Sequence, residues 1–207
     1  MDYIQEDIEP AKDFSQENGF QQLESFVPNE DLEQATSLER VNVKWLTQFL
    51  TLTSVAVFLP FFVHTQLITG PIVNAILILV LVLTGVRSAL LVACLPSMMA
   101  LFGGLLPIVL APAIPFIILS NIIFVLTINW FLNSNQEKNK AYWSGALVAS
   151  GVKFVFLLVS VNILATLFLK GNLVTVVAQM MGWMQLVTAI IGASLAYLVL
   201  KFLKILQ

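Results

Sequence analysis

Five long apolar runs separated by short polar stretches make up the chain from Trp45 onward. Trp45 to Val63 is 19 residues without a charge, opened by Arg40 and Lys44 and ended by His64-Thr65-Gln66. A second run follows Thr69-Gly70-Pro71 and stops at Val86, before Arg87. Ser88 to Leu132 is 45 uncharged residues, too many for one span; Gly103, Gly104, Pro107, Pro112 and Pro115 divide it into a third helix, a kinked loop and a fourth helix. After the polar loop from Asn133 to Lys140, Tyr142 to Leu169 gives a fifth span of 28 residues. Lys170-Gly171-Asn172 turns the chain into a sixth, Leu173 to Leu200, closed by Lys201 and Lys204. Runs of about 20 apolar residues are what a bilayer core requires, so the pattern predicts an all-α membrane protein with six transmembrane helices.

Residues 1–44 differ from the rest. They hold 11 acids and 3 bases, whereas residues 45–207 hold 1 acid and 7 bases. The reading is an acidic tail, partly disordered, with an interfacial helix over 30–44: Asn29 caps it, acids fill its first turn, and Leu32, Ala35 and Leu38 share a face with Trp45. A solvated tether is the plainer alternative. Six spans put both termini on one side. That side carries Arg40, Lys44, Arg87, Lys138, Lys140, Lys201 and Lys204, and the other Lys170 alone. The positive-inside rule then places tail and termini in the cytoplasm of a multi-pass plasma-membrane protein. Composition agrees, with 58% hydrophobic residues, 11% charged and a mean hydropathy of +0.91. The acidic, polar amino terminus does not read as a cleavable signal, and the lone Cys94 rules out an intrachain disulfide.

Lys153 is the single charge in the fifth span. An ammonium group near a bilayer centre costs roughly 2.5–3.5 kcal/mol on insertion scales, so it must face protein or a wet cavity. Asn121 and Gln185 are candidate receivers. The plain alternative is a structural hydrogen bond to Asn121, Gln185 or a backbone carbonyl. At the outer edge His64, Gln66 and Asn74 cluster with Thr65 and Thr69 beside a Gly-Pro break; His64 there reads equally as an interfacial polar residue. Trp183, with Met180, Met181 and Gln179 nearby, is either core or an apolar wall for a flat ligand. On span five Ala146, Ala149, Ser150, Lys153 and Ser160 recur at helical spacing, as do Gln185, Thr188, Gly192 and Ala196 on span six; such small-residue ladders are also ordinary helix contacts.

After Glu39 the one acid is Glu137, in a loop. Carboxylate proton relays, paired-aspartate hydrolysis and acid-rich metal clusters therefore lack their ligands. His64 and Cys94 have no helpful spacing for a metal, and no phosphate-binding G-x-x-x-x-G-K-[ST] loop occurs. No nucleophile and base pair suggests an enzyme. No cofactor and no nucleic-acid partner is expected. Neutral polar groups and one cation suit a binding pocket.

Four strings carry a more specific likeness: Thr69-Gly70-Pro71-Ile72-Val73-Asn74-Ala75, Leu106-Pro107 through Ala111-Pro112-Ala113-Ile114-Pro115-Phe116, Lys153-Phe154-Val155-Phe156-Leu157, and Gln185-Leu186-Val187-Thr188-Ala189. In this order, over residues 45–200, the chain resembles a substrate-specific S component of an energy-coupling factor (ECF) transporter. The resemblance implies a six-helix bundle that captures a vitamin-like or metal-ion micronutrient from outside. It implies as partners a shared transmembrane scaffold subunit and two cytoplasmic ATPases. It would put Lys153, Asn121 and Gln185 at the pocket base and His64 and Gln66 at its gate, and Ala89, Ala93 and Ser97 of the third span would dock the scaffold. The first span lacks the matching small-residue repeat. Two readings from other classes stand beside it: an autonomous secondary transporter or channel, and a structural subunit anchoring a larger complex through the acidic tail.

Overall fold

In the computed structural model, which describes residues 43–63, 65–102, 108–134, 136–167 and 172–206, the apolar runs are α-helices and no strand occurs among the described residues. They are α1 (Val43–Phe62), α2 (Gln66–Thr84), α3 (Val86–Phe102), a 3₁₀ turn over Ile108–Ala113, α4 (Ile114–Leu132), α5 (Lys138–Leu167), α6 (Asn172–Met181) and α7 (Trp183–Phe202). The interfacial helix expected over 30–44 lies outside the described residues except for its last two positions.

Five helical stretches among the described residues are long and apolar enough to cross a membrane: Val43–Phe62, Leu67–Thr84, Ala111–Leu132, Lys138–Thr166 and Val177–Phe202. Helix α3, at 17 residues, spans about 25 Å at 1.5 Å per residue. Large apolar side chains cover the outside; Phe62 is 82% exposed, Trp130 72% and Leu198 63%. Surface of that kind is stable against lipid and costly against water. The chain is therefore a multi-pass helical membrane protein.

The bundle is organised around α2. Seven consecutive residues, Ala75 to Leu81, are buried, and a helix that is apolar all round belongs at the centre. Helix α7 packs along α2, α5 packs along α4, and α3 contacts both α2 and α4. Close approach of α2 and α7 rests on glycine. A Cβ on Gly192 would lie 2.7 Å from the Pro71 carbonyl oxygen and from the Asn74 Cβ, and one on Gly70 would lie 2.9 Å from Thr188 Cγ2. Helix α1 is peripheral, with Ala56 its one fully buried residue.

At one end of the bundle the indole N–H of Trp45 donates to the Thr84 carbonyl at 3.0 Å, and Gly85, at φ +97°, turns α2 into α3. Here also the Tyr142 hydroxyl donates to the Ala193 carbonyl at 2.6 Å, beside the rings of Trp143 and Tyr197. This bond ties α5 to α7. Tyr142→Phe removes it and leaves a buried carbonyl oxygen one partner short, so a loss of about 1–2 kcal/mol is expected. Thermal unfolding in detergent checks this, and an unchanged midpoint would show the bond to be idle.

The expected sixth span is not one continuous helix. It breaks at Gly182, where an added Cβ would stand 2.6 Å from the Ala178 carbonyl oxygen. A glycine is thus required at the sharp step between α6 and α7. The run Met181-Gly182-Trp183 hides this break, because one Gly among apolar residues does not by itself end a helix.

Candidate functional site

Lys153 sits halfway along the 30 residues of α5, on the face formed by Tyr142, Ala146, Ala149, Ser150, Leu157 and Ser160, and is 2% exposed. The small residues of that face bring α4 close enough for the lysine stem to lie inside the bundle. Its ammonium donates to two side-chain amides, Asn74 Oδ1 on α2 and Asn121 Oδ1 on α4, each at 2.7 Å. The Phe124 ring centroid lies 5.2 Å from Nζ, within reach of a cation–π contact. Asn121 is steadied by a long bond from Nδ2 to the Ala93 carbonyl at 3.4 Å. Asn74 is seated against Gly192 of α7. Three helices therefore meet on one cation.

A lysine ammonium has three donors and no acceptor. Two are used, and no third acceptor stands among the described residues. No carboxylate faces Nζ: Glu137, the one acid among the described residues, is solvent-exposed and pairs with Lys140 at 3.0 Å. Among the described residues the charge is held by dipoles and a ring face alone.

Beside it lies a cavity of about 250 Å³. Its wall comprises Pro60 and Val63 of the α1 end, Thr69, Gly70, Val73 and Asn74 from the first turns of α2, and Pro96, Ser97 and Ala100 from the last turns of α3. Ile114, Ile117 and Asn121 of α4, Lys153, Met180 of α6 and Gln185 of α7 also line it. These positions share the bundle half opposite the Tyr142 and Trp45 anchors, with Lys153 at mid-depth. The wall is mostly apolar with a few convergent polar groups, the usual make-up of a small-molecule site.

The structure brings Lys153, Asn121, Asn74 and Gln185 to one cavity. It does not make Gln185 a partner of the lysine: Gln185 Nε2 donates to the Met180 carbonyl at 3.2 Å, near the end of α6. Asn74 takes the place beside Asn121. Trp183 is 62% exposed, and neither it nor the exposed Gln179 contributes to the cavity wall. His64 and the Gln66 side chain lie outside the described residues. Ala89 and Ala93 are fully buried, Ala93 against Asn121, and Ser97 lines the cavity, so this row faces into the bundle. Their small size serves helix packing; the outward residues of α3 are Arg87, Leu91, Met98 and Phe102.

Most other intramembrane hydroxyls are satisfied within their own helix. Thr127, Ser150 and Ser160 donate to the carbonyls of Ile123, Ala146 and Phe156, the usual back-bonding of Ser and Thr in apolar helices. They are structural. No group of three or more His, Cys, Asp or Glu side chains that could hold a metal ion occurs among the described residues.

Fold and site together define a multi-pass helical membrane protein with, among the described residues, one buried, dipole-held cation on the wall of a cavity. No family model, curated protein or solved structure matches the chain.

Proposed function

We propose that this chain is the substrate-capture subunit of an ECF-type importer in the plasma membrane, binding a small micronutrient from outside and handing it to an ATPase-driven scaffold. The observation that carries the reading is the Lys153 ammonium, held by Asn74 and Asn121 at 2.7 Å on the wall of a 250 Å³ cavity with no anionic partner among the described residues. A buried cation left without a counter-charge is costly as pure structure and useful as a binding element. In this reading α3 also crosses the membrane and α6 continues α7 across the Gly182 step, giving six crossings with cytoplasmic termini. The cavity half then faces outward, because the basic residues Arg87, Lys138, Lys140, Lys201 and Lys204 cluster at the other end.

The four strings quoted above support the same reading. Thr69, Gly70, Val73 and Asn74 of the first string, Ile114 of the second, Lys153 of the third and Gln185 of the fourth all supply cavity wall. The membrane half contributes no carboxylate, which fits capture better than proton-coupled transport by the chain alone.

The full-length protein purified from its native membranes is expected to release a bound small molecule on denaturation, detected by mass spectrometry, and to co-purify with an integral membrane scaffold and two ATPases. Lys153→Ala is expected to retain less than a tenth of the ligand. Equal retention by the variant would remove Lys153 from the site. Solute uptake into liposomes by this chain alone would favour an autonomous transporter instead.

A further inference from the structure

We propose that the cavity takes a small monoanion, a carboxylic acid with a compact apolar body, whose carboxylate completes the coordination of the Lys153 ammonium. The inference rests on the capture reading and specifies its ligand. Charge balance carries it. Among the described residues the bundle holds one interior cation, its two close acceptors are neutral amides, and no acid reaches it. One negative charge from the ligand closes this account. A dianion would leave a net charge in a medium of low dielectric, and a cation would meet Lys153 as a like charge. A zwitterion would bring an ammonium for which the wall has no anion. A neutral carbonyl accepts the hydrogen bond yet leaves the cation uncompensated.

Hydrogen-bond capacity agrees with the charge. Lys153 has one N–H left over. Among the described residues the Asn74 Nδ2 group has no partner and is not sealed in by protein, since Thr53 Oγ1 is the one buried polar side-chain atom there without a partner. Two donors at one corner of the cavity match the two oxygens of a carboxylate. Size sets the body. A cavity of about 150 Å³ accommodates benzene, so 250 Å³ holds about ten non-hydrogen atoms by proportion, a single ring bearing one carboxylate or a branched acid of equal bulk. Val73, Pro96, Ile114 and Ile117 offer that body an apolar wall.

The test uses the purified full-length chain, freed of native ligand and titrated with benzoate, benzamide, phthalate and benzylammonium, with thermal shift and calorimetry as readouts. Benzoate is expected to bind at least roughly tenfold tighter than its neutral amide, the scale of one charge-assisted bond, and tighter than phthalate or benzylammonium. Lys153→Met, of similar length and without the charge, is expected to bring benzoate down to the benzamide level. Benzamide or benzylammonium matching benzoate in the wild-type chain would overturn the proposal, as would binding by none of the four. The comparison on the wild-type chain needs no variant. The two readings also fail separately: a neutral or dianionic native ligand removes the monoanion and keeps capture, whereas solute transport by the chain alone removes capture.

Discussion

Asn121→Leu in the full-length chain is expected to lower stability by roughly 3 kcal/mol, the scale for breaking a buried charged contact from one side. Leucine has nearly the same shape, so little packing is lost. What is lost is one of two amide oxygens at 2.7 Å from the Lys153 ammonium, which then keeps Asn74 and the Phe124 ring face alone. The informative part is the double variant. Adding Lys153→Met removes the cation itself, so most of the lost stability is expected to return, and Met should pack in the apolar surroundings of the lysine stem. The two effects are thus strongly non-additive, as for groups that share one interaction. Reversible unfolding in detergent micelles for wild type, both single variants and the double variant measures this. Simple addition of the two single effects would show that Asn121 does not hold the charge.

The second large effect concerns two glycines with opposite expected outcomes. Gly192→Ala places a methyl group 2.7 Å from the Pro71 carbonyl oxygen and the Asn74 Cβ, and 3.0 Å from the Ala75 nitrogen. Two of these three neighbours are backbone atoms of α2, which cannot rotate away. Helices α2 and α7 must separate, at about 2 kcal/mol within the usual range for overpacking, and Asn74 moves off the lysine, so ligand affinity falls with stability. Gly151→Ala on α5 meets nothing within 4 Å. There the gain in helix propensity prevails, neutral to about 1 kcal/mol stabilising. A Gly192→Ala protein as stable as Gly151→Ala, with unchanged ligand affinity, would remove the α2–α7 contact as the support of Asn74.

Much of this site was legible before any coordinates. A single lysine in 28 apolar residues is conspicuous because burying it without partners is so unfavourable, and Asn121 stood out as an amide in another apolar run. Asn74 was legible as one of several polar residues near a Gly-Pro break, without its role. Its pairing with Lys153 spans 79 residues of chain and depends on how α2 and α5 lie in space, which no local pattern records. Gln185 went the other way. As a polar residue in an apolar run it resembles Asn121, yet its amide serves the helix break at Gly182, two turns of reasoning that need the backbone path. Ala89 and Ala93 illustrate a third limit. Small residues allow close approach equally to a neighbour in the bundle and to an outside partner, and spacing does not say which.

The sequence by itself determined the class: apolar runs of membrane length, basic residues gathered at alternate connections, a membrane region without carboxylates and one cation that had to be solvated by protein. Those follow from transfer free energies, which depend on residue type and run length alone. The tertiary structure decided which amides receive the cation, that α2 is the central helix, that the last run is stepped at Gly182, and that an apolar cavity adjoins the charge. These depend on contacts between residues far apart in the chain, where fractions of an ångström at Gly70 and Gly192 set which side chains can meet.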